Sequence, residues 1–270
     1  MGFLDQCTAL ITGASAGLGS EFARQLAPQA KALILVARRI DRLEALKKEL
    51  ERPGLTIHTR QADLSNRAEV ESLLEWLKAN AGGLNLLINN AGIGDHGLFE
   101  ESDWNKTAHM LDVNIWALTR LSYALLPVLR KQSRSAILNV SSIAGFIPIP
   151  GETVYAASKA FVTSFSEGLR MELRGTGVRV TALCPGPVST EFSEVAQRPG
   201  KKDPVPAPDL FKVPAWKVVT EGLAWVEKDR PRGIPGLLMT FVMALTVMTP
   251  MFILRLAMQG RGRQLSRTQC

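Results

Sequence analysis

Thr8-Ala-Leu-Ile-Thr12, followed without a break by Gly13-Ala-Ser-Ala-Gly17-Leu-Gly19, decides how this chain folds. The first five residues form a short apolar, β-branched run of the kind that makes a buried strand. Ser20-Glu-Phe-Ala-Arg-Gln-Leu-Ala27, after the glycines, has helical periodicity. A strand, a Gly-rich turn and a helix start together make a phosphate site. The glycines let the backbone approach an anion, and the helix N–H groups face it. Similar apolar runs recur at Leu33 to Ala37, Leu84 to Asn89, Ala136 to Val140 and Val178 to Leu183, alternating with helical stretches. That alternation predicts an α/β fold, a doubly wound parallel sheet covered on both faces.

The second strand, Ala32 to Ala37, runs into Arg38-Arg39. An acidic residue near this strand end would hold the ribose 2′-OH of NAD, whereas an arginine accommodates the 2′-phosphate of NADP. Ala37 stands where the acid would be and two guanidiniums follow, so the expected cofactor is NADP(H). The plain alternative is a solvated basic turn before the helix of Leu43 to Leu50.

Tyr155 and Lys159, in Val154-Tyr-Ala-Ala-Ser-Lys159, lie one helical turn apart on one face. A phenol is a poor acid at neutral pH, with an ordinary pKa of about 10. A nearby ammonium is expected to lower it toward the working range of a general acid or base. Ser142 upstream can hydrogen-bond the carbonyl oxygen that the tyrosine protonates. The plain alternative is an amphipathic helix with a surface Lys and a buried Tyr.

Together these pieces resemble the short-chain dehydrogenase/reductase family, a Rossmann-type fold, from about Leu4 to about Thr190. The motifs match in order: Thr12 to Gly19, then Asp63-Leu64, Asn89-Asn90-Ala91-Gly92, Asn114, Ser142, Tyr155, Lys159 and Pro185-Gly186-Pro-Val-Ser-Thr190. The resemblance implies a catalytic tetrad of Asn114, Ser142, Tyr155 and Lys159. It also implies a cofactor loop of Gly13, Ser15, Gly17, Leu18 and Gly19, Asp63 and Leu64 at the adenine, and Asn90, Ala91 and Gly92 beside the ribose. Pro185, Gly186, Val188 and Thr190 would face the nicotinamide, Lys159 would bind its ribose, and Asn114 would hold a water linking Lys159 to solvent. The spacing to Tyr155 selects Ser142 over Ser141. Hydride transfer to a carbonyl carbon is the implied reaction, in a dimer or tetramer. The non-enzyme alternative is a catalytically silent NADPH-binding sensor or interaction protein on the same fold.

At 270 residues the chain approaches the upper limit of a single core. Residues 1–232 are expected to form the cofactor-binding catalytic domain and 233–270 an appendage. Hydrophobic content of 46% with 21% charged residues is ordinary for a soluble α/β domain. His58, His96 and His109 lack metal-ligand spacing, and no serine-hydrolase elbow is present, so no metal is expected. Asp95 and His96 read as a polar loop without a role, although they could border the substrate mouth. Cys7, Cys184 and Cys270 are scattered, with no CxxC, which suits a reducing compartment, and Cys184 reads as a small buried hydrophobe. The first strand starts too near Met1 to leave room for a signal peptide, and Gln6 replaces the Ser/Thr of a myristoylation start. A cytoplasmic location is therefore expected.

Net charge is +7, and it is unevenly placed. From Arg230 onward there are six arginines and no acid, leaving 26 basic against 25 acidic residues before them. Between these arginines lies the uncharged, mostly apolar run Gly236 to Leu254. Pro250 interrupts it, so two short apolar helices are expected rather than one span. Residues 236–263 could then meet a membrane surface, a subunit interface or the substrate mouth as a lid. Nucleic acid is not an expected partner, because no aromatic interleaving accompanies the charge. Five of the eight methionines fall between Met239 and Met258, and methionine adapts to irregular surfaces. The segment from Ile143 to Val154 is largely apolar, and a proline-rich stretch containing Lys201-Lys202 follows Thr190. In relatives that stretch closes over the substrate. An apolar wall with an apolar tail suggests a lipophilic ketone, 3-oxoacyl thioester or steroid-like carbonyl. The run Val36-Ala-Arg-Arg39 and the tail are similar to bacterial reductases grouped with 3-oxoacyl-CoA and 17β-hydroxysteroid enzymes.

Overall fold

The computed structural model describes residues 2–198 and 209–267, with the backbone alone for Asp209 and residues 261–267. Pro199, Lys201, Lys202, Pro204, Pro206 and Pro208, expected in the closing stretch, lie outside the described residues, as do Met1 and Cys270.

Seven parallel strands form one sheet: β1 (Thr8–Thr12), β2 (Ala32–Ala37), β3 (Thr56–Gln61), β4 (Leu86–Asn89), β5 (Ser135–Val140), β6 (Val178–Leu183) and β7 (Arg232–Gly233). Their order in space is β3-β2-β1-β4-β5-β6-β7. Helices α1 (Gly17–Leu26), α2 (Ile40–Leu50), α3 (Arg67–Asn80), α4 (Trp104–Leu111), α5 (Leu118–Leu129), α6 (Thr153–Glu172), α7 (Phe192–Ala196) and α8 (Ala215–Glu227) follow in chain order. The period of two along each strand sends alternate residues to two cores. Ala9 and Ile11 pack with Phe22 and Leu26 of α1 and Val218, Val219 and Val226 of α8. Leu10 packs with Leu73, Leu74 and Leu77 of α3 and Leu121 and Leu125 of α5. Both faces are therefore covered, as the apolar runs predict.

Strand β1 lies between β2 and β4, so the winding reverses direction there. A crevice opens outside the carboxyl ends of the strands at such a switch point, and ligands bind in it. The Gly-rich turn after β1 and Asn89 to Gly92 at the end of β4 both reach this crevice. Asn114, expected within an ordinary helix, instead sits in a π-helical turn, Asp112–Ala117, between α4 and α5. Such turns often mark functional positions.

After β7 come α9 (Leu237–Met248) and α10 (Met251–Arg267), broken at Thr249-Pro250 and bent by 114°. Two short helices are thus found where two were expected. Among the described residues no single helix is long and apolar enough to cross a membrane.

Candidate active site

The Gly-rich turn is closed from below by β4. Thr12 Oγ1 accepts the N–H groups of Asn90 and Ala91 at 3.0 Å each, and Asn90 Nδ2 donates to Thr12 O at 2.8 Å. Gly13 has φ of +67°, and a Cβ there would lie 2.9 Å from both Ala91 Cα and Asn90 Nδ2. A Cβ on Gly19 would lie 2.1 Å from Gly13 O. Only glycine fits these two places. Ala16, the N-cap of α1, offers no side-chain acceptor to the first-turn N–H groups. Uncapped N–H groups above a glycine cradle fit a pyrophosphate, so the turn suits a dinucleotide. Gly17 and Leu18 open α1, with Thr190 3.4 Å from the Cβ position of Gly17. Asp63 caps its own turn by accepting from Ser65 N and Oγ, while Leu64 is buried in the second core.

Arginines line the rim beyond β2. Arg39 reaches Ser15 Oγ at 3.4 Å and Glu191 Oε2 at 3.1 Å. Arg42 reaches Glu191 Oε1 at 2.7 Å. Glu191 follows Thr190 and is held below its ordinary carboxylate range, first by Arg42 and then by Arg39. Arg38 is exposed beside them.

The tetrad residues converge at the carboxyl ends of β4, β5 and β6. Ser142 accepts Ala144 N–H at 3.1 Å, donates to Pro185 O at 3.4 Å, and lies close enough to Tyr155 to favour its phenolate. Ser141 turns inward to Lys159 O and Thr163 Oγ1 at 2.8 and 2.7 Å, away from Tyr155. Lys159 is buried, donates to Val140 O at 2.9 Å, and stands 5.8 Å from the Tyr155 ring centre. Asn114 Oδ1 accepts Ile93 N–H, and its Nδ2 donates to Ile93 O and Ser158 Oγ, all at 2.9 Å.

One expectation needs correction. Tyr155 is not lowered by Lys159. Burial pushes it up to about 12, only partly offset by Ser142. Burial also brings Lys159 down to about 8. In both groups loss of hydration is the largest cause, and the Lys159 ammonium is turned toward the Val140 carbonyl. The Asn114 amide spends both N–H bonds on protein partners, which leaves the second lone pair of Oδ1 to receive a water.

The cleft beside Tyr155 is lined by Asp95, Phe99, Ser102, Met110 and Val154, among others. Phe192 of α7 packs on the Tyr155 ring at 5.6 Å. Behind it, Arg198 holds Asp95 with Nη2 at 2.6 Å and Ser102 Oγ at 2.8 Å, while Lys106 Nζ lies 3.0 Å from Asp95. Burial would raise Asp95, but its bonds from Arg198 and Lys106 win and hold it low.

The family model described as short chain dehydrogenase matches residues 7–199, from before β1 to beyond α7. The chain belongs to the short-chain dehydrogenase/reductase family. It is 41% identical over 192 residues to an NADP-dependent 3-hydroxy acid dehydrogenase of Salmonella typhi, covering 69% of this chain and 75% of that one. A short-chain dehydrogenase of Sphingobium yanoikuyae in complex with NADPH superposes with a TM-score of 0.77 at 31% identity, over 90% of this chain and 96% of that one. A short chain dehydrogenase/reductase of Burkholderia phymatum in complex with NAD gives 0.79 at 26% identity, over 91% and 94%. This short-chain dehydrogenase is accordingly an oxidoreductase of the NAD(P) class.

Several residues at this short-chain dehydrogenase's site went unnoticed in the sequence. Arg42, Lys106, Glu191 and Arg198 belong to no motif and meet their partners only through the fold. Asp95, taken for a loop residue without a role, is buried and borders the cleft. Cys184 is buried as expected, and burial pushes its thiol up to about 11.

Proposed function

We propose that this chain reduces a lipophilic ketone or aldehyde with NADPH, Tyr155 giving the proton to the nascent alcohol. One observation carries this: Ser142, Tyr155 and Lys159 converge at the crevice that holds the glycine cradle, with Lys159 Nζ 5.8 Å from the Tyr155 ring centre. Bound NADPH supplies the hydride. Ser142 orients the carbonyl oxygen against the phenol. Tyr155 at about 12 carries its proton at neutral pH, which suits the reductive direction. Lys159 at about 8 is still largely cationic at neutral pH, and its ammonium would hold the nicotinamide ribose of bound NADPH. A Cβ on Gly92 would meet Lys159 Nζ at 3.2 Å and Asn114 Oδ1 at 3.5 Å, so glycine keeps open the space between them. That space gives the proton a way back.

Arg38 and Arg39 at the end of β2, with Ser15 of the Gly-rich turn 3.4 Å from Arg39, support NADPH over NADH. Phe99, Met110 and Val154 support a lipophilic substrate, with the Asp95 group supplying the polar edge. The catalytic unit is assigned to residues 1–232 and the appendage to 233–270, in a homo-oligomer. The buried free thiols of Cys7 and Cys184 fit a cytoplasmic setting.

The test is consumption of NADPH and NADH by purified protein across ketones, aldehydes and 3-oxoacyl thioesters. NADPH-dependent turnover on a lipophilic carbonyl is expected. Tight NADPH binding with no turnover on any member would replace the enzyme by a sensor.

A further inference from the structure

Ten of the nineteen large apolar side chains exposed among the described residues fall between Leu237 and Leu256. They belong to α9 and α10. Helix α9 has two distinct faces. Met239 and Met243 are buried, and Met239 Cε lies 3.1 Å from the Cβ position of Gly186, next to Ile143. This inner face closes on the end of β6, one residue from the Pro185 carbonyl that binds Ser142. The opposite stripe of Leu237, Phe241, Leu245 and Met248 is exposed, from 54% at Leu245 to 91% at Leu237. Met251, Phe252, Ile253 and Leu256 extend the exposed surface along α10.

Length excludes a span by either arm. At about 1.5 Å per residue the arms reach roughly 18 and 26 Å, against about 30 Å for the hydrocarbon core. Bent helices with exposed apolar side chains and basic ends suit the interface between headgroups and acyl chains. Charge then selects the occupant. From Arg230 to Cys270 there are six arginines and no acid, and Arg255 stands exposed among the apolar side chains of α10. A second copy docking through the same face would bring two such cationic segments together. Anionic headgroups offset that charge.

We propose that α9 and α10 dock this chain on an anionic lipid bilayer, inner face on the enzyme and outer stripe in the membrane. A lipophilic carbonyl would then reach the site from the bilayer, a consequence that rests on the function proposed above; docking itself does not.

The test uses the full chain, sedimented with phosphatidylcholine vesicles with and without about 30% phosphatidylglycerol. Binding is expected to the anionic vesicles, and weaker binding on raising salt from about 0.05 to about 0.5 M. Phe241→Glu with Leu245→Glu should lower it at least about tenfold, while turnover of a water-soluble ketone is unchanged. Replacing Arg261, Arg263 and Arg267 by Gln should weaken binding to the anionic vesicles alone. No co-sedimentation by the full chain, or equal binding by the Glu variant, overturns the proposal. So does a Glu variant that loses oligomeric mass when neither form binds vesicles, which would assign the face to a second copy. Docking without turnover on any carbonyl would overturn the function proposed above and leave the docking surface standing.

Discussion

The tetrad cluster and the arginine rim lie on the same edge of the sheet and are built by opposite means. Asn114, Ser142 and Lys159 are buried, and Tyr155 is half-buried, wedged between Ser142 and Phe192. Arg39, Arg42 and Glu191 keep 42–46% of their side chains exposed. Burial decides the chemistry of the first group, raising Tyr155 and lowering Lys159. Mutual charge decides the second, in water and subject to salt. Inner positions therefore tolerate little change, and rim positions can exchange one anion for another.

The largest effect belongs to the inner group. Tyr155→Phe keeps the ring against Phe192 and removes the proton. Turnover should fall at least about 100-fold, the lower end for general acid catalysis, with NADPH affinity little changed. Near-normal turnover would remove Tyr155 as the acid.

Lys159 tests whether burial truly governs this region. Its unfolded form titrates near the ordinary 10.5 and its folded form near 8. Between those values the unfolded chain binds more protons, so wild-type stability gains from this group as pH rises. Below about 8 the burial cost is fully present, on the order of 3 kcal/mol. Lys159→Met should lose turnover, and its stability relative to wild type should decline as pH rises from 8 toward 10.5. A pH-independent difference in denaturant midpoint would show that Lys159 is not desolvated. The same titration should make wild-type reduction fall above about pH 8, since the ammonium is then lost.

Much of the inner region was readable in advance, because it depends on local rules. Gly13 and Gly19, set between a strand and a helix start, mark a tight phosphate-binding turn from sequence alone. Tyr155 and Lys159 share a face through helical spacing alone. The sign of the Tyr155 shift was not readable, because sequence spacing says nothing of how much water a site loses. The rim was half readable. Arg38 and Arg39 end a strand, but Glu191 meets Arg39 across 152 positions. Asp95 was seen and set aside, since only Arg198, 103 positions away, shows that it is buried with a partner. Pro250 announced the bend of the tail, whereas the division of α9 into a buried and an exposed stripe required the body it packs on.

At the rim the expected effects are smaller and selective. Arg38→Asp should weaken NADPH relative to NADH by about tenfold or more, one like charge beside the 2′-phosphate being enough. Unchanged relative affinities would remove Arg38 from cofactor selection.

Glu191 gives the finest distinction. Its carboxylate occupies Arg39 and Arg42, beside Ser15, where a 2′-phosphate would call on the same guanidiniums. Glu191 also opens the segment that carries Phe192 onto Tyr155. Glu191→Gln frees the arginines without altering the cradle. NADPH should bind about two- to fivefold more tightly, the scale of an exposed ion pair, and NADH, lacking the phosphate, should not change. An equal gain for both cofactors would mean that Glu191 acts through the position of α7 rather than by competing for charge. No gain for either would mean that Arg39 and Arg42 do not reach the phosphate, and cofactor choice would fall to Arg38 alone.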